Sequence, residues 1–277
     1  MNTKMITLRF LVLTLFLGIV IGCGGSGNKT DEKLVIIKTE FGDIKVKLFN
    51  DTPKHRDNFL KLVDEGFYTD LLFHRVIKQF MIQGGDPASK NAAPGIQLGG
   101  GSPGYTIPAE ILPNHHHKKG ALAAARLGGP KNPMKESSGS QFYIVQGLVY
   151  RPGQLDTLEM KMNAQRKDQL LRESFDANKA KFTELQSKND KAAFDLLVAQ
   201  LREKADSLYA TKSPFKLTPE QRNDYTTIGG YPSLDSEYTV FGEVVEGLDV
   251  VDKIATVETD RTNRPVKDVK MKIEQVK

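Results

Sequence analysis

The 277-residue chain has one cysteine and no tryptophan, and its longest apolar run is too short to cross a bilayer comfortably. A single cysteine excludes an intrachain disulfide framework. The net charge of +5 comes from acidic and basic residues mixed along the chain, with no basic block. That describes a solvated surface, so no nucleic-acid partner is expected. Residues 156–211 contain neither glycine nor proline, whereas both recur through the rest of the chain. One segment therefore differs in kind from its flanks. The length suits one large domain or two small ones.

The longest apolar run covers residues 10–21, interrupted only by Thr14 and Gly18, and it follows Lys4 and Arg9. A basic start and a short apolar stretch suit a secretory leader. The run ends in Ile-Val-Ile-Gly-Cys at Cys23, which resembles the lipobox of bacterial lipoproteins. That resemblance implies cleavage before Cys23 and lipidation of its thiol; a plain signal peptide or an uncleaved anchor is the alternative. Residues 1–22 are thus expected to be a leader and residues 23–33 a Gly-rich, polar, flexible tether. The expected location is the cell envelope, on a membrane through the lipid.

Around the turn Phe41-Gly42-Asp43, Leu34 and Ile36 oppose Val35 and Ile37 on one side, and Ile44, Val46 and Leu48 alternate with Lys45 and Lys47 on the other, the pattern of a hairpin with one buried face. A helix follows from Pro53, with Phe59, Leu62 and Val63 on one face and Gly66 as its stop. Residues 71–77, 80–83, 105–111, 121–126, 141–146, 239–245 and 266–276 read as strands, and 248–255 as a second helix. With no βαβ rhythm, the strands point to a barrel. The loop 88–105 holds Gly99-Gly100-Gly101, but no Lys-Ser/Thr follows and no helix opens there, so no phosphate cradle is expected. His115-His116-His117 reads as a solvated turn, because adjacent loop histidines rarely converge on one ion. Neither metal nor cofactor is expected.

The segment 156–211 reads as two amphipathic helices forming an antiparallel hairpin. Leu171, Phe175, Asn178, Phe182 and Leu185 follow 4-3-4-3 spacing, as do Phe194, Val198, Leu201, Ala205 and Leu208. Asn189-Asp190 is the break between them. Thr218-Pro-Glu-Gln221 is a capping box opening a further short helix.

Residues 73–86, FHRVIKQFMIQGGD, bring an arginine, a glutamine and large apolar side chains together without a carboxylate pair or an activated nucleophile. This stretch resembles the signature of the cyclophilin-type peptidyl-prolyl cis-trans isomerases. Gly120-Ala-Leu-Ala-Ala-Ala-Arg126, Ser138-Gly-Ser-Gln-Phe-Tyr-Ile144 and Leu234-Asp-Ser-Glu-Tyr-Thr-Val-Phe-Gly242 resemble later blocks of that family, in order. The resemblance implies a mainly β fold: a closed eight-stranded antiparallel barrel capped by two helices, made from residues 34–146 and 229–277. Residues 147–228 would then be a helical insert. It also implies rotation about X-Pro bonds of unfolded or partly folded polypeptides, without a cofactor. Arg75 matches the catalytic arginine. Phe80, Met81, Gln83, Ala125, Arg126, Tyr143, Leu234 and Tyr238 match the substrate-binding positions. Arg126 falls where well-studied eukaryotic members carry asparagine and Ser233 where they carry tryptophan. The contact from that asparagine is largely backbone, so Arg126 is expected to preserve it, whereas Ser233 in place of tryptophan puts tight cyclosporin binding in doubt more than catalysis. A second reading rests on the insert: a chaperone or partner-binding module in which isomerisation is secondary.

Overall fold

A computed structural model describes residues 33–212 and 214–276. The leader expected over residues 1–22, the expected lipidation at Cys23 and residues 23–32 of the expected tether lie outside the described residues. Lys33, the last tether position, already pairs with Leu48 in the first hairpin. That hairpin joins β1 (Lys33–Thr39) to β2 (Gly42–Leu48). Val35, Ile37, Ile44 and Val46 are its fully buried face, as period-2 alternation requires. Helix α1 (Pro53–Asp64) buries Phe59, Leu62 and Val63. Its first turn is capped from a distance: the Glu110 carboxylate accepts from Lys54 N at 3.1 Å and His55 N at 3.0 Å. Gly66, at φ +67, turns the chain away from the helix end.

The next strands are short: β3 (Leu71–Leu72), β4 (Arg75–Ile77), β5 (Met81–Gly84), β6 (Thr106–Ile107), β7 (Ala121–Ala124), β8 (Ser137–Ser138) and β9 (Phe142–Val145). The strand expected over 105–111 stops at Ile107 because Pro108 has no N–H to continue the ladder.

Residues 152–210 hold three helices: α2 (Pro152–Ala177), α3 (Lys179–Ser187) and α4 (Lys191–Ala210). The break at Asp190 is as expected, its side chain capping Ala193 N at 3.0 Å. A second break falls at Asn178, read from sequence as a ladder position. Its side chain donates back to Ser174 O at 2.8 Å, competing with the helical pattern. Phe175, Phe182 and Phe194 link the three helices, with ring centroids 5.3 and 5.1 Å apart. Leu201 and Ala205 are buried, whereas Leu208 of the same ladder is 41% exposed. Helix α5 (Pro219–Thr227) opens on the expected capping box, Thr218 and Gln221 bonding each other's backbone N–H. At the root of the insert, Leu155, Leu217 and Tyr225 form a small second core with Tyr150 and Phe215. The chain leaves and returns side by side: a Cβ on Gly147 would lie 2.4 Å from the Gly230 backbone.

Strand β10 (Val240–Glu246), helix α6 (Leu248–Ile254) and strand β11 (Lys270–Gln275) complete the fold. Nine strands form one antiparallel sheet in the order β3-β11-β1-β2-β10-β7-β9-β5-β4, with β6-β8 as a separate ribbon. The count is nine rather than the eight expected, because the 71–77 run splits at Phe73-His74. The two end strands of the order, β3 and β4, are thus neighbours in the chain, and the sheet curls. Its concave face holds the main core, including Ile82, Leu122, Phe142 and Ile144. The opposite face of β5, β7 and β9 carries Met81, Ala121, Ala123, Tyr143 and Val145.

Candidate active site

Strand register assembles the site. Arg75 on β4 stands opposite Gln83 on β5, Gln83 opposite Tyr143 on β9, and Tyr143 opposite Ala123 on β7. Directly opposed residues share a sheet face, so Arg75, Gln83 and Tyr143 form one row. The nine site residues expected from sequence, Arg75, Phe80, Met81, Gln83, Ala125, Arg126, Tyr143, Leu234 and Tyr238, line a single depression of about 110 Å³. A larger groove of about 300 Å³ adjoins it, sharing Gln83, Ala125 and Arg126.

Arg75 is held in place. Its Nη1 donates to Gln83 Oε1 at 3.0 Å and lies 3.9 Å from Met81 Sδ, and its guanidinium carbon is 5.8 Å from the Phe80 ring centroid. Burial draws its pKa below the usual value, with Tyr238 opposing that shift; a guanidinium nevertheless stays charged. Gln83 is oriented in turn: its Nε2 donates to Gln141 Oε1 at 3.0 Å, and Gln141 Nε2 donates to Gly99 O at 3.0 Å and Gly101 O at 2.7 Å. The glycine-rich loop is therefore a clamp on Gln141. Its own backbone wraps the buried Asp86 carboxylate, which accepts from Ala88, Gly99 and Gly101 N–H.

On the other wall, Arg126 lies over the Tyr238 ring at 4.5 Å and donates to Glu237 Oε2 and to Glu237 O, both at 2.8 Å. Its guanidinium is thereby occupied. Ser233 is exposed. The Tyr143 and Tyr238 rings meet edge-on at 5.8 Å. Phe142, the other aromatic of that strand, points into the core against Phe59 and Tyr68.

The histidine run is not the solvated turn expected. His115 stacks on Phe49 at 4.0 Å and bonds Asp51, His116 bonds Asp224, and the fully buried His117 bonds Asp235. Each ring takes a different aspartate, and no group of three His, Cys, Asp or Glu able to hold a metal ion occurs among the described residues. His117, Asp235 and Gln141 support the site, yet of the three only Gln141 and Asp235 fall in the quoted blocks, 138–144 and 234–242. His117 carried no local signal, since its partners lie far away in the chain.

The depression offers a fixed cationic donor beside an apolar, aromatic wall, with no carboxylate or histidine among its lining residues. Such a site can bind a small ring and donate to an acceptor beside it. It has no group to take a proton.

The sequence model of the family described as cyclophilin type peptidyl-prolyl cis-trans isomerase/CLD matches residues 34–159 and 219–276. The chain belongs to this family. A peptidyl-prolyl cis-trans isomerase of Synechococcus elongatus is 44% identical over 110 residues, 39% of this chain and 66% of that protein. The peptidyl-prolyl cis-trans isomerase-like 2 of Rhizopus delemar is 27% identical over 243 residues, 85% of this chain. The chain spans about a quarter of that relative's length, 27%. The crystal structure of a Cryptosporidium parvum cyclophilin type peptidyl-prolyl cis-trans isomerase shares the fold, at 21% identity and a TM-score of 0.51 over 89% of this chain and 98% of that one.

Proposed function

We propose that the protein catalyses cis–trans rotation about X-Pro peptide bonds. The observation that carries this is the Gln83-oriented Arg75 donor beside an apolar depression without acid or base. Amide resonance sets a barrier of about 18–20 kcal/mol to rotation. For X-Pro bonds, uncatalysed exchange takes tens to hundreds of seconds, roughly, at room temperature. Rotation makes no σ bond and moves no proton, so catalysis consists of binding the twisted amide better than either planar form. Twisting localises the lone pair on the proline nitrogen, which becomes a hydrogen-bond acceptor. Arg75 is the donor for it, and exclusion of water strengthens that contact. Phe80, Met81, Tyr143 and Leu234 hold the pyrrolidine ring, while Gln83 and the backbone at Ala125 and Arg126 hold the chain beside it.

The finer reading of the fold is a barrel closed through the Phe73-His74 link. The substrates are proline-containing, unfolded or partly folded polypeptides of the cell envelope. The sequence at Cys23 supports a lipid anchor there; loss of acyl labelling in Cys23→Ala tests it. The enzymatic reading is tested by proline-limited refolding of a model protein. Catalytic amounts of this protein are expected to accelerate the slow phase, and an unaltered slow phase contradicts the reading.

A further inference from the structure

One chain of buried side chains runs from the root of the insert to the wall of the pocket. The Tyr225 ring is fully buried in the second core, and its hydroxyl donates to Asp235 Oδ2 at 2.6 Å. Gln221 Nε2 donates to the same oxygen at 3.2 Å. Asp235 Oδ1 accepts from both the backbone N and Nδ1 of His117, each at 2.9 Å. With Nδ1 donating, His117 Nε2 carries the lone pair, and it lies 3.0 Å from the Tyr143 hydroxyl. Tyr143 is 5% exposed, and what it exposes faces the depression beside Arg75. Burial holds its hydroxyl well above the ordinary tyrosine range, so it is a proton donor here.

We propose that Tyr225, Asp235 and His117 form a positioning relay that fixes the Tyr143 ring and so sets the fit of the pocket to the substrate ring. The helix that leaves the insert, α5, thereby controls a wall it does not touch. The inference rests on the reading of this pocket as the proline site. The physical reason lies in the Tyr143 hydroxyl. Its acceptor is His117 Nε2, and a buried hydroxyl without an acceptor is costly. Without His117 the ring turns to bring its hydroxyl to water, and the water is in the pocket. The turned ring occludes the pocket and weakens binding of the substrate ring. Removing the hydroxyl as well removes the reason to turn.

That logic gives a rescue. Dissociation constants for an X-Pro peptide are measured by NMR titration for the wild type, His117→Leu, Tyr143→Phe and the double variant, with folding checked by thermal unfolding. His117→Leu is expected to weaken binding about tenfold. Against Tyr143→Phe as its own reference, His117→Leu is expected to cost less than about twofold. Equal losses in both backgrounds, or none in either, overturn the relay. Should His117→Leu not fold, Tyr225→Phe repeats the cycle by deleting one hydroxyl. It is expected to weaken binding about threefold, and only where Tyr143 keeps its own hydroxyl. Additivity of those two changes overturns the relay equally. A folded wild-type protein that binds no proline peptide overturns the reading of the site, and the relay with it. Wild-type binding with no rescue overturns the relay alone.

Discussion

Arg75 does not find its own position; Gln83 holds it, and Gln141 holds Gln83. Gln83→Ala leaves the guanidinium charged but unaimed. Loss of one hydrogen bond to a charged group is worth about tenfold, so kcat/KM on an X-Pro peptide is expected to fall by roughly that factor, with the fold retained. Beside Arg75 sits a group of opposite character. His74 is 3% exposed, and neither ring nitrogen has a hydrogen-bond partner. Burial lowers its pKa from 6.5 to about 4, against the pull of Asp86. The unfolded chain therefore binds a proton at His74 below the usual value, while the folded chain does not until about pH 4. The contribution of His74 to stability is full above pH 6.5 and is lost as pH falls from 6.5 towards 4. The loss amounts to about 3 kcal/mol at most. Urea unfolding at pH 7 and at about pH 4.5 checks it: His74→Leu is expected to show a shallower decline than wild type.

Elements divide by where their partners come from. The capping box of α5 lies within four consecutive residues, and it was legible in the sequence for that reason. Helix α1 is capped by Glu110, more than fifty positions away, and no local pattern announces it. The same distinction separates the site from its support. The row Arg75, Gln83, Tyr143 was readable because ordered blocks carry it, whereas His117 acquires its role only when Asp235 and Tyr143 fold against it. The break at Asn178 was missed because helical spacing describes faces and says nothing of a side chain that bonds its own backbone. Two substitutions measure the contrast. Thr218→Ala removes a local cap and is expected to cost about 1 kcal/mol. Glu110→Ala strips acceptors from Lys54 N, His55 N and the His55 ring, and is expected to cost about 2–3 kcal/mol in denaturant unfolding.

At the scale of the whole molecule, a curled sheet carries the pocket on its outer face, and a helical insert is rooted next to it. Lys167 on α2 and Asp206 on α4 pair at 2.9 Å, so the two helices can be joined there. Excising residues 168–205 with a short Gly-Ser turn leaves Leu155, Leu217 and Tyr225 in place. Turnover of a short X-Pro peptide is expected to stay within about twofold, since no pocket residue is lost. Suppression of client aggregation, measured alongside, separates the two readings of the insert: its loss assigns client holding to the helices, and its retention assigns it to the sheet domain. Isomerisation itself depends on the guanidinium at the pocket, held by Gln83. NMR exchange spectroscopy on an X-Pro peptide reads the cis–trans rate with and without catalytic protein. Wild-type protein is expected to produce exchange, and folded Arg75→Ala to slow it by about a hundredfold. Folded Arg75→Ala that exchanges the peptide at the wild-type rate would contradict the account.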